Sequence, residues 1–215
     1  MGIALDATSS GTASSASSPL VYSHTCTGVD LILFVSVIDT SGDTVTGITY
    51  NGVAMTQITK CLTGGVELYL YYLINPATGA HNVSVSYTGI PTVVSSYSAS
   101  YTGALQSGQP DAFNSATGNS GTASVATTVV AQSCWLVTTA INDTANFNTP
   151  GTNIVERVPG TGSSFILGDS NGTVSTGSVT ASVTITGGSP QWGIISASFA
   201  PAPTLGGGNL MMMGV

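Results

Sequence analysis

The sequence predicts an all-β protein, a two-sheet antiparallel jelly-roll β-sandwich. Clusters of Gly, Ser, Thr and Asn interrupt the chain roughly every 8–12 residues, which is the turn spacing of a β-sandwich or barrel. No segment has sustained helical periodicity, and several segments alternate between apolar and polar residues. The mean hydropathy of +0.37 therefore arises from many short apolar segments, as expected for strands.

A β-hairpin is predicted over residues 45–58. Asn51-Gly52 separates two apolar runs, and Asn-Gly favours a type I′ turn because both central residues need positive φ. Strict alternation over residues 81–87 and 178–186 predicts strands with one apolar and one polar face.

Three further segments, residues 31–38, 66–73 and 134–140, are apolar at both parities. Such strands are covered on both faces, either as central strands of one molecule or by another subunit. The predicted core contains Leu31, Leu33, Val35, Val37, Leu68, Leu70, Val83, Val85, Trp135, Val137, Val183, Ile185, Ile194 and Phe199.

We expect a single β-sandwich domain over residues 1–203, followed by a Gly-rich linker and an apolar tail over residues 204–215. The tail residues are Leu210, Met211, Met212 and Met213. An exposed apolar segment is a liability in a free monomer, so we expect this tail to dock in a groove of its own or a neighbouring subunit. The short echoes YTG and GTAS are too brief to establish an internal duplication.

The charge balance excludes several classes of function. The chain has 2 Lys+Arg against 9 Asp+Glu, a net charge of −7, and only 5% charged residues, where a soluble domain usually has about 25%. Nucleic-acid binding is not expected, because it needs clustered Lys and Arg to contact phosphates. We also expect no secretory signal, since the N-terminus has no cationic region and no apolar stretch, and no membrane span.

Metal and disulfide sites are weakly indicated. Cys26, Cys61 and Cys134 are too few and too widely spaced for a disulfide framework, which favours buried thiols over one bridge with one thiol left over. His24 and Cys26 share a strand face, but a zinc site needs two more ligands, and no CxxC or HxxxH spacing supplies them. A hydrogen-bonded core or interface histidine is the favoured interpretation, and no metal or cofactor is expected.

Enzymatic activity is not expected. Glu67 and Glu156 are the two glutamates and lie in different strands, whereas a glycosidase needs two carboxylates across the bond that it cleaves. No GxSxG sequence indicates a nucleophile elbow. The acidic loops 39–43 and 168–172 could hold calcium, but their role as turns is favoured.

A carbohydrate-stacking face is an alternative for three aromatic residues. Tyr69 and Tyr71 share one parity of an apolar strand, and Trp192 begins the last strand. Aromatic rings bind sugars, although tyrosines on strands more often fill a core or an interface.

Segments distributed over most of the chain resemble an uncharacterised family found in tailed-phage and environmental metagenome sequences. They are IALDATSSGTAS, YSHTCTG, ILFVSV, VTGITYNGVAMTQI, YLYYLINPATGAHNVSVS, ASYTGALQSGQPDAF, CWLVTTA and WGIISASFAP. The resemblance implies a lectin-like or concanavalin-like jelly roll encoded among phage structural genes. It implies a virion component and carries no catalytic residues.

Together these observations predict a non-enzymatic structural subunit of an assembly, with itself and other virion subunits as partners. The expected location is the virion, as a capsid-decoration, tail or fibre protein, or an extracellular surface assembly. The unprotected strand edges favour this interpretation, because soluble monomers usually protect edge strands with charges. A carbohydrate-binding surface module and a subunit of an extracellular bacterial or archaeal filament remain alternatives.

Overall fold

The computed structural model describes residues 2–40, 42–143, 148–159, 164–186 and 188–203. The secondary structure of these residues is antiparallel β-strand, which confirms the predicted all-β class. The strands of the first half are β1 (Ala4–Ala13), β2 (Leu20–Cys26), β3 (Ile32–Asp39), β4 (Val45–Tyr50), β5 (Val53–Ala54), β6 (Thr56–Thr63), β7 (Val66–Ile74), β8 (Gly79–Tyr87) and β9 (Val94–Thr102). The strands of the second half are β10 (Ala112–Asn119), β11 (Thr122–Val129), β12 (Trp135–Asn142), β13 (Asn148–Pro150), β14 (Val155–Pro159), β15 (Phe165–Asp169), β16 (Gly177–Ile185) and β17 (Gln191–Phe199).

These strands form four sheets where the sequence led us to expect two. In the first half, an inner sheet has the order β1-β9-β3-β7-β6 and an outer sheet has the order β2-β8-β4-β5. In the second half, the inner sheet is β10-β17-β12-β15-β14 and the outer sheet is β11-β16-β13. The sandwich expected over residues 1–203 is therefore built from two halves with the same strand order.

Each half has the arrangement of a jelly roll. The first strand pairs with the last in the inner sheet, β1 with β9 and β10 with β17. The second strand pairs with the last but one in the outer sheet, β2 with β8 and β11 with β16. Most successive strands thus change sheet, as in jelly rolls, whereas β4–β5, β6–β7 and β14–β15 are pairs of successive strands within one sheet. In the first half, Met55 alone separates β5 from β6, but the two strands lie in different sheets. Strand β5 is at the edge of the outer sheet, and β6 is at the edge of the inner sheet.

The four sheets stack as layers with three apolar cores between them. One core lies between the two sheets of the first half, one between the two sheets of the second half, and the third between the inner sheets. Strands β3, β7 and β12 lie inside the inner sheets and are covered on both faces, which explains why their sequences are apolar at both parities. The predicted core residues are all buried except Trp135, which is partly buried against the shared core.

The two halves pack against each other through equivalent elements. Edge strand β6 packs on β10 and β17, and its equivalent, β14, packs on β1 and β9. Leu31 and Cys134 occupy equivalent positions, because each follows a residue with positive φ. The Leu31 carbonyl also accepts a backbone N–H from the segment after β7, and the Cys134 carbonyl accepts one from the segment after β15. Five residues further on lie Ser36 and Thr139, whose hydroxyl oxygens are 2.8 Å apart. This buried hydrogen bond joins equivalent positions of the two halves.

The predicted hairpin is confirmed and distinguishes the first half from the second. Asn51 and Gly52 both have positive φ, at 49° and 76°, and Tyr50 pairs with Val53 across the turn. The second arm is short, since the chain leaves the outer sheet after Ala54 to form β6. Strand β13, the equivalent of β4, lies at the edge of its sheet without a strand corresponding to β5 among the described residues.

Candidate functional site

The three aromatic residues proposed as a sugar platform are buried. Tyr69, Tyr71 and Trp192 expose 1%, 4% and 8% of their surface, and they lie in the cores between the sheets. Their polar atoms have partners within the protein, as in the 2.8 Å hydrogen bond from the Tyr71 hydroxyl to Gln57. The expectation of a stacking face at these residues is therefore wrong, because a sugar needs an exposed ring face. The proposed tail residues Leu210, Met211, Met212 and Met213 lie outside the described residues.

A polar network occupies the corner where β2 meets β1 and β9. His24 Nδ1 lies 2.8 Å from Ser9 Oγ, and His24 Nε2 lies 3.0 Å from Ser100 Oγ. Ser100 donates to Asp6 Oδ2 at 2.7 Å, and Asp6 also accepts the backbone N–H of Thr27 at 2.9 Å. Because Ser100 gives its one proton to Asp6, it accepts from Nε2–H of His24, and Ser9 therefore donates to Nδ1.

This network contains the residue types of a catalytic triad in a different order. A triad places the acid directly against the histidine, whereas Ser100 stands between His24 and Asp6 here. His24 is only 1% exposed, and burial lowers its pKa to about 4, so the imidazole is neutral at pH 7. A substrate would need to reach both Ser9 and the imidazole, and the burial of His24 opposes this. The network is best understood as a hydrogen-bonded support of the corner.

His24 and Cys26, which were considered as metal ligands and not favoured, are not arranged to bind a metal. His24 and Cys26 do share the buried face of β2, as expected. Both nitrogens of His24 are hydrogen-bonded, and burial raises the pKa of Cys26, which favours the protonated thiol over the thiolate that a metal needs. Among the described residues, no group of three or more His, Cys, Asp or Glu side chains could hold a metal ion. The expected hydrogen-bonded histidine is confirmed, and Cys26, Cys61 and Cys134 are buried and free.

Part of the corner network recurs in the second half. Asp111 accepts a hydrogen bond from Ser198 at 3.0 Å and the backbone N–H of Val130 at 2.9 Å, as Asp6 does from Ser100 and Thr27. His24 precedes Thr27 by three residues, and Thr127 precedes Val130 by three. Thr127 is fully buried, and its hydroxyl has no hydrogen-bond partner among the described residues. The aspartate and serine thus brace both halves, and the histidine is particular to the first.

An ion pair within the second half, which the sequence did not predict, lies at the interface between the halves. Arg157 on β14 binds Asp169 on β15 through two hydrogen bonds of 2.6 and 2.8 Å. Tyr101 of the first half donates to the same carboxylate at 2.9 Å, and the N–H of Asn171 donates at 2.7 Å. Burial beside Asp169 raises the pKa of Tyr101 well above its usual range. Because Asp169 is fully buried and bonded to Arg157, it serves the interface and the turn instead of a calcium ion.

Two adjoining depressions lie beside the hairpin on the first outer sheet. One has a volume of about 500 Å³ and lies between β4, β8 and the crossover from β5 to β6. The other, of about 360 Å³, lies between the hairpin turn and β8, and both are lined by Thr49. We call the two depressions together the hairpin groove. The sequence predicted the Asn51-Gly52 hairpin beside this groove. It did not reveal that the chain would change sheets at Met55, directly after the hairpin.

Comparison of the chain with protein-family models, curated proteins and solved structures finds no match. The described residues include no helix long and apolar enough to cross a membrane.

Proposed function

We propose that this protein is a non-enzymatic structural subunit of a multi-subunit assembly, most consistent with a virion protein of the capsid-decoration, tail or fibre class. The observation that carries the proposal is the absence of charged residues from the strands of both outer sheets and from β10, an edge strand of an inner sheet. Edge strands β2, β10 and β11 contain no Lys, Arg, Asp or Glu. Isolated sandwiches usually protect such edges with charged residues, so uncharged edges favour coverage by neighbouring subunits.

The distribution of cations strengthens this argument. The two cations of the sequence, Lys60 and Arg157, are both paired with carboxylates, at 3.0 and 2.6 Å. Large apolar side chains are exposed at the edges, including Val21 on β2 at 47% and Phe113 on β10 at 51%. Exposed apolar residues at the edges and uncharged outer sheets offer area for contact between copies.

The jelly-roll topology is compatible with this role, because jelly rolls occur in viral capsid proteins and in lectin domains. A fold of this kind does not by itself fix a function. The alternative of an extracellular filament would use the same uncharged edges to add strands from neighbouring subunits. The alternative of a carbohydrate-binding surface module is favoured by one observation, the uncharged hairpin groove.

The test is the solution mass of the protein by light scattering coupled to size exclusion, with Val21→Lys and Phe113→Lys as variants. We expect an oligomer or polymer whose mass is insensitive to salt, since few charges are involved. At least one lysine variant should reduce the mass, whereas Val21→Thr and Phe113→Tyr keep the edges uncharged and should not. Met212→Asp, with Met212→Leu as its control, tests whether the tail contributes to assembly. A wild-type protein that stays monomeric at every concentration would refute the proposal.

A further inference from the structure

The hairpin groove is built by a feature that only the first half has. The hairpin and the crossover at Met55 form one wall, and β8 forms the other. Ala54 and Ala80 are exposed apolar residues of the lining, whereas Ile48 and Met55 are buried, at 2% and 7% exposure. Gly47 opens the centre, because a Cβ added there would meet no atom within 4 Å. The groove therefore has depth where a side chain would otherwise project.

The polar groups of the groove are uncharged and largely unused. Its side chains are hydroxyls, amides, one imidazole and apolar groups, and no Lys, Arg, Asp or Glu lines either depression. The unused side chains, which hydrogen-bond to no other described residue, are Thr46, Thr49, Ser84, Ser86 and Asn82. Gln57 accepts the Tyr71 hydroxyl at 2.8 Å through Oε1, which leaves its amide N–H groups for a ligand. These groups offer both donors and acceptors to a neutral molecule.

Register places these groups as a continuous row across the sheet. Thr49 lies opposite Ser84, and Gly47 lies opposite Ser86, on neighbouring strands β4 and β8. Directly paired residues on one face have Cβ atoms about 5 Å apart. Hydroxyls at this spacing can bond adjacent hydroxyls of one ligand, and the methyl groups of Ala54 and Ala80 can contact its C–H groups.

We propose that the hairpin groove binds a neutral oligosaccharide. An acidic or phosphorylated ligand would find no cation there, because Lys60 and Arg157 lie elsewhere and are paired. An added peptide strand is disfavoured along β4, because the Ile48 carbonyl already accepts the N–H of Met55 at 2.8 Å. A saccharide matches the observed lining, since it presents many neutral hydroxyls and apolar ring faces together. This inference goes beyond the proposed structural role and does not depend on it.

The probes are neutral oligosaccharides of glucose, mannose or galactose and, for comparison, sialylated and sulfated oligosaccharides. Binding is first screened on immobilised glycans and then measured by calorimetry with the full chain. We expect a neutral oligosaccharide to bind, and Gly47→Leu and Asn82→Ala each to weaken its affinity by about tenfold or more. Gly47→Leu adds bulk in open space at a residue without positive φ, so it should fold normally.

Gly172→Leu in the second half is the matched control. Gly172 is also open around its Cβ position and has no positive φ, so this variant should bind like the wild type. Thermal melting of every variant separates loss of binding from loss of fold. Binding of only charged glycans, binding of none, or unchanged affinity in Gly47→Leu would each overturn the proposal. None of these results alters the solution mass, so failure here is distinguishable from failure of the assembly proposal.

Discussion

The two halves of the molecule have the same strand order but use different chemistry at equivalent positions. At the corner of the first half, His24 links Ser9 to Ser100, whereas the equivalent Thr127 in the second half has no hydrogen-bond partner among the described residues. The aspartate that closes both corners is retained, as Asp6 and Asp111. The shared topology therefore depends on the apolar pattern and this brace, while the remaining polar groups are free to differ.

The ion pairs differ in the same way. Lys60 and Arg157 lie on equivalent edge strands, β6 and β14, and each pairs with a carboxylate on the neighbouring strand. The Lys60 side chain is 45% exposed, but Arg157 is only 16% exposed and its partner Asp169 is fully buried. The buried pair accepts a hydrogen bond from Tyr101 of the other half. Ion pairs on equivalent edge strands therefore lie at the surface in the first half and at the interface between the halves in the second.

The largest expected effect distinguishes these two pairs. Arg157→Met leaves the buried Asp169 carboxylate with hydrogen bonds from Tyr101 and Asn171 only. We expect it to reduce the free energy of unfolding by about 3–5 kcal/mol, the usual cost of stranding a buried charge. Lys60→Met breaks an exposed pair and should cost about 0–1 kcal/mol. Urea unfolding of both variants measures the difference, and equal losses would contradict this account.

The sequence contained enough information for the strands but not for the number of sheets. Alternation over residues 81–87 and the Asn51-Gly52 turn identified local structure correctly, because both signals act between near neighbours. Strands that are apolar on both parities, such as β3, are equally compatible with a central position and with a subunit contact. The third core, between the inner sheets, could therefore not be anticipated from parity alone.

The similarity of the two halves was hidden for a related reason. The echoes YTG and GTAS do not fall at equivalent positions, since Tyr87 ends β8 but Tyr101 lies in β9. The informative echo is Ser-Ala-Ser followed by an aromatic residue, at residues 98–101 and 196–199, together with Asp-Ala at residues 6–7 and 111–112. These residues form the aspartate-serine brace in each half. The sugar platform failed because neither face of β7 is open to solvent, so shared parity of its tyrosines could not indicate exposure.

The second prediction concerns pH and the corner of the first half. His24 has a pKa of about 4 when folded and about 6.5 when unfolded, because burial disfavours its charged form. Below pH 6.5, His24 therefore binds a proton more readily in the unfolded chain than in the folded chain. The free energy of unfolding consequently decreases as the pH falls from about 6.5 to about 4. The full contribution is on the order of 3 kcal/mol.

Urea unfolding of the wild type and His24→Thr at pH 7 and at pH 4 tests this prediction. His24→Thr copies the residue found at the equivalent position, Thr127, and removes the titrating group while the other ionisable groups remain. We expect the loss of stability on acidification to be smaller in His24→Thr than in the wild type. The same loss in both proteins would show that other groups dominate the acid response.

The smallest expected effect comes from replacing two buried threonines with valine, which should change the free energy of unfolding in opposite directions. Thr127 and Thr139 are both fully buried, but the hydroxyl of Thr127 has no partner among the described residues, whereas that of Thr139 bonds Ser36 at 2.8 Å. Thr127→Val removes an unpaired polar group and should stabilise the protein by about 1 kcal/mol. Thr139→Val strands the Ser36 hydroxyl in the shared core and should destabilise by about 1–2 kcal/mol. Since the substitution is identical, urea midpoints that shift in the same direction would mean that packing, and not hydrogen bonding, decides the outcome at both sites.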